Sequence, residues 1–171
     1  MQMVKKYLLW AFLLWFALLF FMPKVELYYA LERELATQDI TLNEASIEQG
    51  VLYVTIRDVK VYVKGVELAH IDSIHFFTLL GYSTLTMKDI EVDDLLKSKV
   101  PSAITELSAS HSIFSPLSLA LDANGSFGRA EGELSLLEGT VRVDLVESKD
   151  ISTLKPYLKQ DEKGWYYETS F

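Results

Sequence analysis

Two octapeptides, residues 54–61 (VTIRDVKV) and 85–92 (LTMKDIEV), carry the pattern that decides the fold of this chain. In each, apolar residues alternate with polar ones, which is typical of a half-buried β-strand. The apolar positions are even-numbered up to Ile56 and odd-numbered from Val59, so a regular strand would turn them to opposite faces. A bulge or bend at residues 57–58 would keep both halves on one buried side.

The two octapeptides form an internal repeat with an offset of 31 residues, and their character differs only where Lys60 is replaced by Glu91. Looser copies of the pattern occur at residues 40–47 (ITLNEASI) and 134–141 (LSLLEGTV). The repeat predicts an apolar inner face that holds a ligand or a partner. We expect this face to be lined by Leu52, Val54, Ile56, Val59, Val61, Leu85, Met87, Ile90 and Val92.

Turn signals separate the predicted strands. Residues 48–50 and Lys64-Gly65 stand where strands should reverse. Asn124-Gly125 is the strongest hairpin signal in the chain.

Short helices are predicted beside the strands. Residues 24–37 have apolar positions near the 3.6-residue period and no Gly or Pro. Residues 93–107 are expected to be helical or irregular up to Pro101, and residues 151–159 to form a short helical turn. The aromatic residues 165–167 are expected to end the chain as a strand.

The N-terminal region contains sixteen consecutive residues without charge, residues 7–22 (YLLWAFLLWFALLFFM). As a helix this run is about 24 Å long, slightly shorter than a hydrocarbon core of about 30 Å. Lys5 and Lys6 precede it, which predicts a cytoplasmic N-terminus under the positive-inside rule. We predict an uncleaved transmembrane signal anchor, because the residues that follow the run are bulky or charged, whereas signal peptidase requires small residues there. A cleaved signal peptide and a buried core helix are the alternatives.

These patterns predict a mainly β protein. We expect a cytoplasmic tail and transmembrane anchor in residues 1–23, a linker helix in residues 24–38 and a periplasmic β domain in residues 39–171. The β domain is expected to be a curled, repeat-containing antiparallel sheet, shaped as a β-groove or a β-sandwich, with short helices.

The composition excludes several classes of protein. Half of the 171 residues are hydrophobic, which excludes intrinsic disorder. The absence of Cys excludes a disulfide scaffold, a thiol nucleophile and a Cys-ligated metal site. The net charge is −8, and it becomes −10 for residues 23–171, which have 14 basic and 24 acidic residues. Such a surface repels phosphate backbones, so no nucleic-acid partner is expected.

The sequence contains few candidates for chemistry. His70 and His75 are five residues apart in a predicted strand, which would place them on opposite faces, and His111 is remote. No nucleophile-elbow motif and no glycine-rich phosphate-binding motif occur. The adjacent acidic residues Asp93-Asp94 are better explained as the start of a helix than as a catalytic pair of carboxylates. We therefore expect no catalytic, cofactor-binding or metal-binding residues, no cofactor and no enzymatic activity.

Residues 52–92 and 128–140 carry a resemblance to known families. The first stretch contains both strand–Asp–apolar steps and a Gly turn between them; the second contains GRAEGEL followed by EGT. This arrangement resembles the AsmA-like envelope proteins of Gram-negative bacteria and the type II secretion protein N. The resemblance implies an elongated, curled sheet with an apolar concave face, held at the inner membrane, in lipid transport, outer-membrane assembly or protein secretion.

Two functions from different classes remain open. In one, the domain is a scaffold that pairs with other envelope proteins through its sheet edges. In the other, it is a periplasmic lipid-binding module that resembles lipopolysaccharide transport protein C. Both place the chain in the bacterial inner membrane with one spanning helix and with the bulk of the chain in the periplasm.

Overall fold

The structure is a computed structural model that describes residues 2–20, 24–94, 96–97, 100–101, 103–162 and 164–171. Two helices come first, α1 (Gln2–Phe20) and α2 (Lys24–Ala36). The helix predicted from residue 24 is therefore confirmed. Within the described residues, no helix combines the length and the hydropathy that a membrane crossing requires.

Eleven strands follow in the described part of the chain. They are β1 (Ile40–Asn43), β2 (Ser46–Gln49), β3 (Tyr53–Val63), β4 (Val66–Leu79), β5 (Tyr82–Val92), β6 (Ala103–Ser112), β7 (Ser115–Gly125), β8 (Gly128–Ser135), β9 (Thr140–Ser148), β10 (Lys159–Asp161) and β11 (Gly164–Ser170). A short 3-10 turn, Lys155–Tyr157, precedes β10. The short helical turn with Pro156 and the aromatic C-terminal strand are both as predicted.

All strands belong to one antiparallel sheet with the order β1-β3-β4-β5-β6-β7-β8-β9-β11-β10. β2 also pairs with β3, so β1 and β2 lie end to end along the same neighbour. The sheet is open and uncurled. The prediction of a mainly antiparallel β fold is confirmed, but that of a curled, groove-like or sandwich-like sheet is wrong. The physical reason is that α2 and residues 151–158, rather than a second sheet or curling of the sheet on itself, bury parts of its apolar side.

A shift of side-chain parity crosses the sheet, and we call it the seam. In β3, Ile56 and Val59 are both buried although they are three residues apart, and Asp58 between them has a φ of +52°. Asp89 occupies the same place in β5 with a φ of +49°. The predicted bend at residues 57–58 is confirmed. Asp tolerates this left-handed conformation better than most residues, because its short polar side chain can hydrogen-bond locally.

The seam continues through the neighbouring strands. Register places residue 58 opposite residue 72 in β4, residue 72 opposite residue 89, and residue 89 opposite residue 105 in β6. The gap between β1 and β2 lies at the same level, since Asn43 pairs with Lys60 and Ser46 with Arg57. From β1 and β2 to β6, apolar side chains therefore lie on the same face of the sheet before and after the seam. We call this face the apolar face and the other the polar face.

Two segments cover the apolar face at opposite ends of the sheet. Val25 and Tyr28 of α2 pack against a cluster of buried aliphatic residues: Val54, Ile56, Val59, Ile71 and Ile90. Residues 151–158 cover the second cluster, formed by Phe127, Ala130, Leu145 and Ile151, with Leu154, Leu158 and Trp165 packed against it. Each cover contributes apolar side chains that one sheet cannot supply to itself.

Three local expectations need correction. The hairpin at Asn124-Gly125 exists, but its turn is at residues 126–127, and Asn124 pairs with Arg129 inside the ladder. Residues 103–107 belong to β6 rather than to a helical or irregular segment. Residues 134–141 are not a copy of the repeat, because the chain reverses there and Leu134 pairs with Val141 across a hairpin.

Candidate functional site: the apolar face

A continuous row of apolar residues crosses the sheet on the apolar face. Each member is the register partner of the next, from β2 to β9: Ile47, Ile56, Ile74, Met87, Leu107, Ala123, Ala130 and Leu145. We call it the inner row. Because cross-strand partners share a face, these side chains form one lane that connects the two buried clusters.

A second row runs beside the first, nearer to the turn between β4 and β5. Its members, again successive register partners, are Val54, Phe76, Leu85, Ala109, Leu121, Gly132, Val143 and Tyr167. We call it the open row. Phe76, Leu85, Ala109 and Leu121 are half-buried and belong to neither cluster. Between its two ends, the open row is thus an apolar lane on which neither α2 nor residues 151–158 pack.

The nine residues predicted to line the inner face are all on or beside this surface. Val54, Ile56, Val59 and Ile90 are buried in the first cluster, and Val61 and Met87 pack against it. Leu85 is in the open row, and Val92 is half-buried in β5. Leu52 is half-buried just before β3, where its carbonyl accepts a hydrogen bond from the Thr78 N–H.

Among the residues of the apolar face that were not predicted from the sequence, two pairs repeat the spacing of the seam. Ile71 and Ile74 in β4, and Ile104 and Leu107 in β6, belong to or pack against the first cluster. Each pair is separated by two polar residues, the same spacing as Ile56 and Val59. That spacing was the available signal, although it lacks the surrounding alternation that made the two octapeptides recognisable.

The polar face carries hydroxyl, imidazole and charged groups. One row of register partners on it consists of Thr55, His75, Thr86, Ser108, Asp122, Glu131, Asp144 and Tyr166. Thr55 Oγ1 lies 2.9 Å from His75 Nδ1, and the His75 ring stacks on Tyr53 with centroids 5.6 Å apart. The sheet is therefore amphipathic as a whole, although His111 lies on the apolar face, where it pairs with Ser83 and Leu119 beside the open row.

The seam also changes the placement of two histidines. His70 pairs with Lys60 and Glu91, and therefore lies on the polar face together with His75. The prediction that His70 and His75 point to opposite faces is wrong, because the parity shift between residues 71 and 74 lies between them. They remain five residues apart along β4, too far to bind one ion together. His111 Nε2 lies 3.3 Å from the Pro116 carbonyl oxygen.

Arg142 organises the charged groups at the far end of the polar face. Its guanidinium donates hydrogen bonds to Asp144 and Asp161 and lies 4.3 Å from the centre of the Tyr166 ring. The hydrogen bonds to Asp144 and then to Asp161 raise the pKa of this guanidinium. A shallow depression of about 620 Å³ beside it is lined by Glu131, Glu133, Glu138 and Glu168. In the described residues, no group of three or more His, Asp or Glu side chains is placed to hold a metal ion.

Tyr28 fixes α2 to the seam. Its hydroxyl donates a hydrogen bond of 3.0 Å to Glu44 Oε2, in the gap between β1 and β2. Burial, and next the hydrogen bond to the Glu44 carboxylate, raise the pKa of this hydroxyl above its usual value. The cover of the first cluster is therefore held by a polar contact as well as by apolar packing.

Comparison of the chain with family models, curated proteins and solved structures found no match.

Proposed function

We propose that this chain is a non-enzymatic, membrane-anchored envelope protein whose apolar face holds an apolar ligand, with a lipid acyl chain as the preferred occupant. The observation that supports this most directly is the open row. An acyl chain lying across strands would contact Phe76, Leu85 and Leu121 in succession, and each would lose water-exposed apolar area. Contiguous apolar surface of this kind is typical of sites for ligands or partners.

The proposal of an anchor rests on the sequence. The apolar run of residues 7–22 extends beyond Phe20, the last described residue of α1, by Phe21 and Met22. Lys5 and Lys6 before the run favour a cytoplasmic N-terminus. On this basis we propose that the sheet lies on the outer side of a bacterial inner membrane. Its function would be in AsmA-like lipid transport, outer-membrane assembly or type II secretion.

Lipid binding is tested by native mass spectrometry of the detergent-extracted full chain. We expect bound lipid in the wild-type protein and its loss in Leu85→Asp, because a carboxylate on the open row leaves an uncompensated charge against an acyl chain. Thr86→Asp is the matched control, since Thr86 is the next residue and lies on the polar face. Circular dichroism of both variants checks that the sheet is intact.

The histidines provide a second control. His70→Ala and His75→Ala are expected to retain bound lipid, because both residues lie on the polar face. Absence of lipid from the wild-type protein, or loss of lipid from Thr86→Asp as readily as from Leu85→Asp, would contradict the lipid proposal.

A scaffold function is the second candidate, and one feature favours it. β11 pairs with β10 only from Gly164 to Tyr166, and in the described part of the chain no strand pairs with the outer edge of β11 beyond Tyr166. Such an edge accepts an added strand from another protein. The Phe171 N–H faces β9, so by strand alternation the Glu168 N–H faces the outer edge. Glu168→Pro would remove that N–H, so a scaffold would lose its partner while an acyl-chain module would keep its lipid.

A further inference from the structure

We propose that the row of hairpin turns at one end of the strands, which we call the apolar turn edge, rests in the interfacial layer of the membrane that holds the anchor. This inference rests on the anchor in the proposed function but not on the occupant of the apolar face. The apolar turn edge consists of Leu80, Ile113, Phe114, Leu136, Leu137 and Phe171.

These turns form one line across the sheet. The Ile113 N–H donates to the Gly81 carbonyl, and the Phe171 N–H donates to the Gly139 carbonyl. Six spacings of about 4.8 Å between β4 and β11 make the line roughly 30 Å long. Phe114 is 94% exposed and Leu137 is 77% exposed, although surface turns are normally built from Gly, Asn, Asp and Ser. An exposed apolar line of this length is typical of an interaction surface.

The turn between β4 and β5 has a bulky residue at a backbone conformation that such residues rarely adopt. Leu80 has a φ of +48° and Gly81 a φ of +85°, the positive values of a two-residue type I′ hairpin. A bulky residue at positive φ is an outlier, and Asn or Asp would suit the position better. At the other end of β4, Lys64 (φ +52°) and Gly65 (φ +81°) form the same kind of turn with a charged first residue. Folding therefore does not explain Leu80, whereas contact with a lipid surface does.

The anchor reaches the chain at this same edge. Lys24, the first residue of α2, donates a hydrogen bond of 2.7 Å from Nζ to the Val51 carbonyl in the turn between β2 and β3. Lys24 follows Phe20, the end of α1, by only four positions, a span of at most about 14 Å. A bilayer that holds the apolar run therefore lies within reach of the apolar turn edge and not of the opposite end.

The turns at the two ends of the strands also differ in charge. The four turns on the anchor side, residues 50–52, 80–81, 113–114 and 136–139, contain a single charged residue, Glu138. Turns at the opposite end carry Lys64, Asp93, Asp94, Lys97, Lys149 and Asp150. Charged groups are strongly disfavoured at membrane depth, so this polarity favours a lipid surface on the anchor side.

The polar groups of the backbone limit how deeply the apolar turn edge can enter the bilayer. The turns expose carbonyl and N–H groups that need water, so the backbone cannot enter the hydrocarbon core. The side chains can bury themselves in the layer between headgroups and acyl chains, about 5–10 Å deep. The occupant we propose is therefore the interface of the bilayer rather than its centre.

The experiment uses the full chain in phosphatidylcholine vesicles. The chain has no Cys, so one introduced Cys carries one environment-sensitive fluorophore. Labels at Phe114→Cys and Leu137→Cys report on the apolar turn edge, those at Lys64→Cys and Ser126→Cys on the opposite turns, and that at Leu13→Cys on the anchor. We expect shallow nitroxide lipids to quench the labels at 114 and 137, and aqueous iodide to quench those at 64 and 126.

Each other outcome has a defined meaning. If Leu13→Cys is quenched by lipid while the labels at 114 and 137 remain open to iodide, the edge inference fails and the anchor stands. If the labels at 114 and 137 are protected from iodide but not quenched by lipid, protein covers the edge and the inference fails. If the edge labels are quenched by lipid and Leu13→Cys is not, the edge contacts lipid without an anchor, so the proposed anchor fails and the inference that its membrane is the one contacted fails with it. If neither is quenched, both fail.

Two equivalent turns supply a matched pair of variants. We expect Leu80→Asn to weaken the lipid quenching of the label at Phe114→Cys, whereas Lys64→Asn leaves it unchanged. Both substitutions place Asn at a positive φ in a type I′ turn, so both are expected to preserve or increase thermal stability. Equal quenching in the two variants would contradict a role of Leu80 at the membrane.

Discussion

The half of the sheet covered by α2 and the half covered by residues 151–158 keep the same face apolar by different means. Under α2, the sheet contributes large aliphatic side chains such as Ile56 and Val59, and the backbone accommodates the seam. Under residues 151–158, it contributes the small residues Ala123 and Ala130, and aromatic residues from outside the central strands complete the cluster.

The difference shows where each half is sensitive. In the helix-covered half, packing depends on side chains that must all face one way despite a parity shift, so the seam is the critical feature. In the loop-covered half, strands approach so closely that a glycine is required: a Cβ on Gly128 would lie 1.9 Å from the Glu147 carbonyl oxygen. The following predictions test that contrast, from the largest expected effect to the smallest.

Ile56→Asp is expected to unfold the helix-covered half. Ile56 is 5% exposed and surrounded by aliphatic residues, so the carboxylate would be buried without a partner. We expect a loss of more than about 3 kcal/mol in the free energy of unfolding, measured with urea. Thr55→Asp, on the polar face beside His75, is the control and should cost about 1 kcal/mol or less. Equal losses would show that the two faces are not distinct.

Gly128→Ala is expected to be the most damaging conservative change in the loop-covered half. The close approach to Glu147 and a φ of +109° both exclude a side chain, so we expect a loss of about 3 kcal/mol or more. Gly65→Ala is the control, because a Cβ added there would meet nothing within 4 Å and only the positive φ of +81° is unfavourable. Its cost should be about 1–2 kcal/mol, and a larger cost than that of Gly128→Ala would contradict the contrast.

The effect of a substitution in the seam on stability should depend on the strand that carries it. Asp58→Val and Asp89→Val place a β-branched residue at positive φ and should each cost about 1–2 kcal/mol, whereas Asp58→Gly should be neutral or stabilising. Asp72, which lies opposite both, has no positive φ. Asp72→Gly should therefore destabilise by about 0.5–1 kcal/mol. Thermal unfolding of the four variants measures the pattern, and a stabilising Asp72→Gly would be inconsistent with it.

Tyr28→Phe should have the smallest effect at neutral pH, about 0.5–1.5 kcal/mol, through loss of the hydrogen bond to Glu44. Its pH dependence is specific. Because the pKa of Tyr28 is raised in the folded state, its contribution is complete below about pH 10, the ordinary Tyr pKa, and is lost as the pH rises toward the folded pKa.

The measurement compares urea unfolding of the wild-type protein and Tyr28→Phe between pH 8 and pH 11, in steps of about one pH unit. We expect the wild-type protein to lose more stability than the variant over the alkaline part of this range. Parallel curves would mean that the Tyr28 hydroxyl is not held by the seam.

Local patterns alone predicted much of the strand content. Period-two alternation identified β3 and β5, the absence of breakers identified α2, and the switch from Ile56 to Val59 predicted the bend at the seam. These are properties of a chain with its neighbours in sequence: side-chain parity, backbone preference and helical periodicity act over a few residues.

What the tertiary structure decided depends on which strands lie side by side. Only the register joins residues 58, 72, 89 and 105 into one seam and places His70 and His75 on the same face. Only the chain reversal shows that residues 134–141 form a hairpin. Only packing shows that α2 and residues 151–158, rather than curling or a second sheet, cover the two ends of the apolar face. Cross-strand contacts join residues far apart in sequence, and the repeat of alternating residues is compatible with many such pairings, so tertiary packing selects among them.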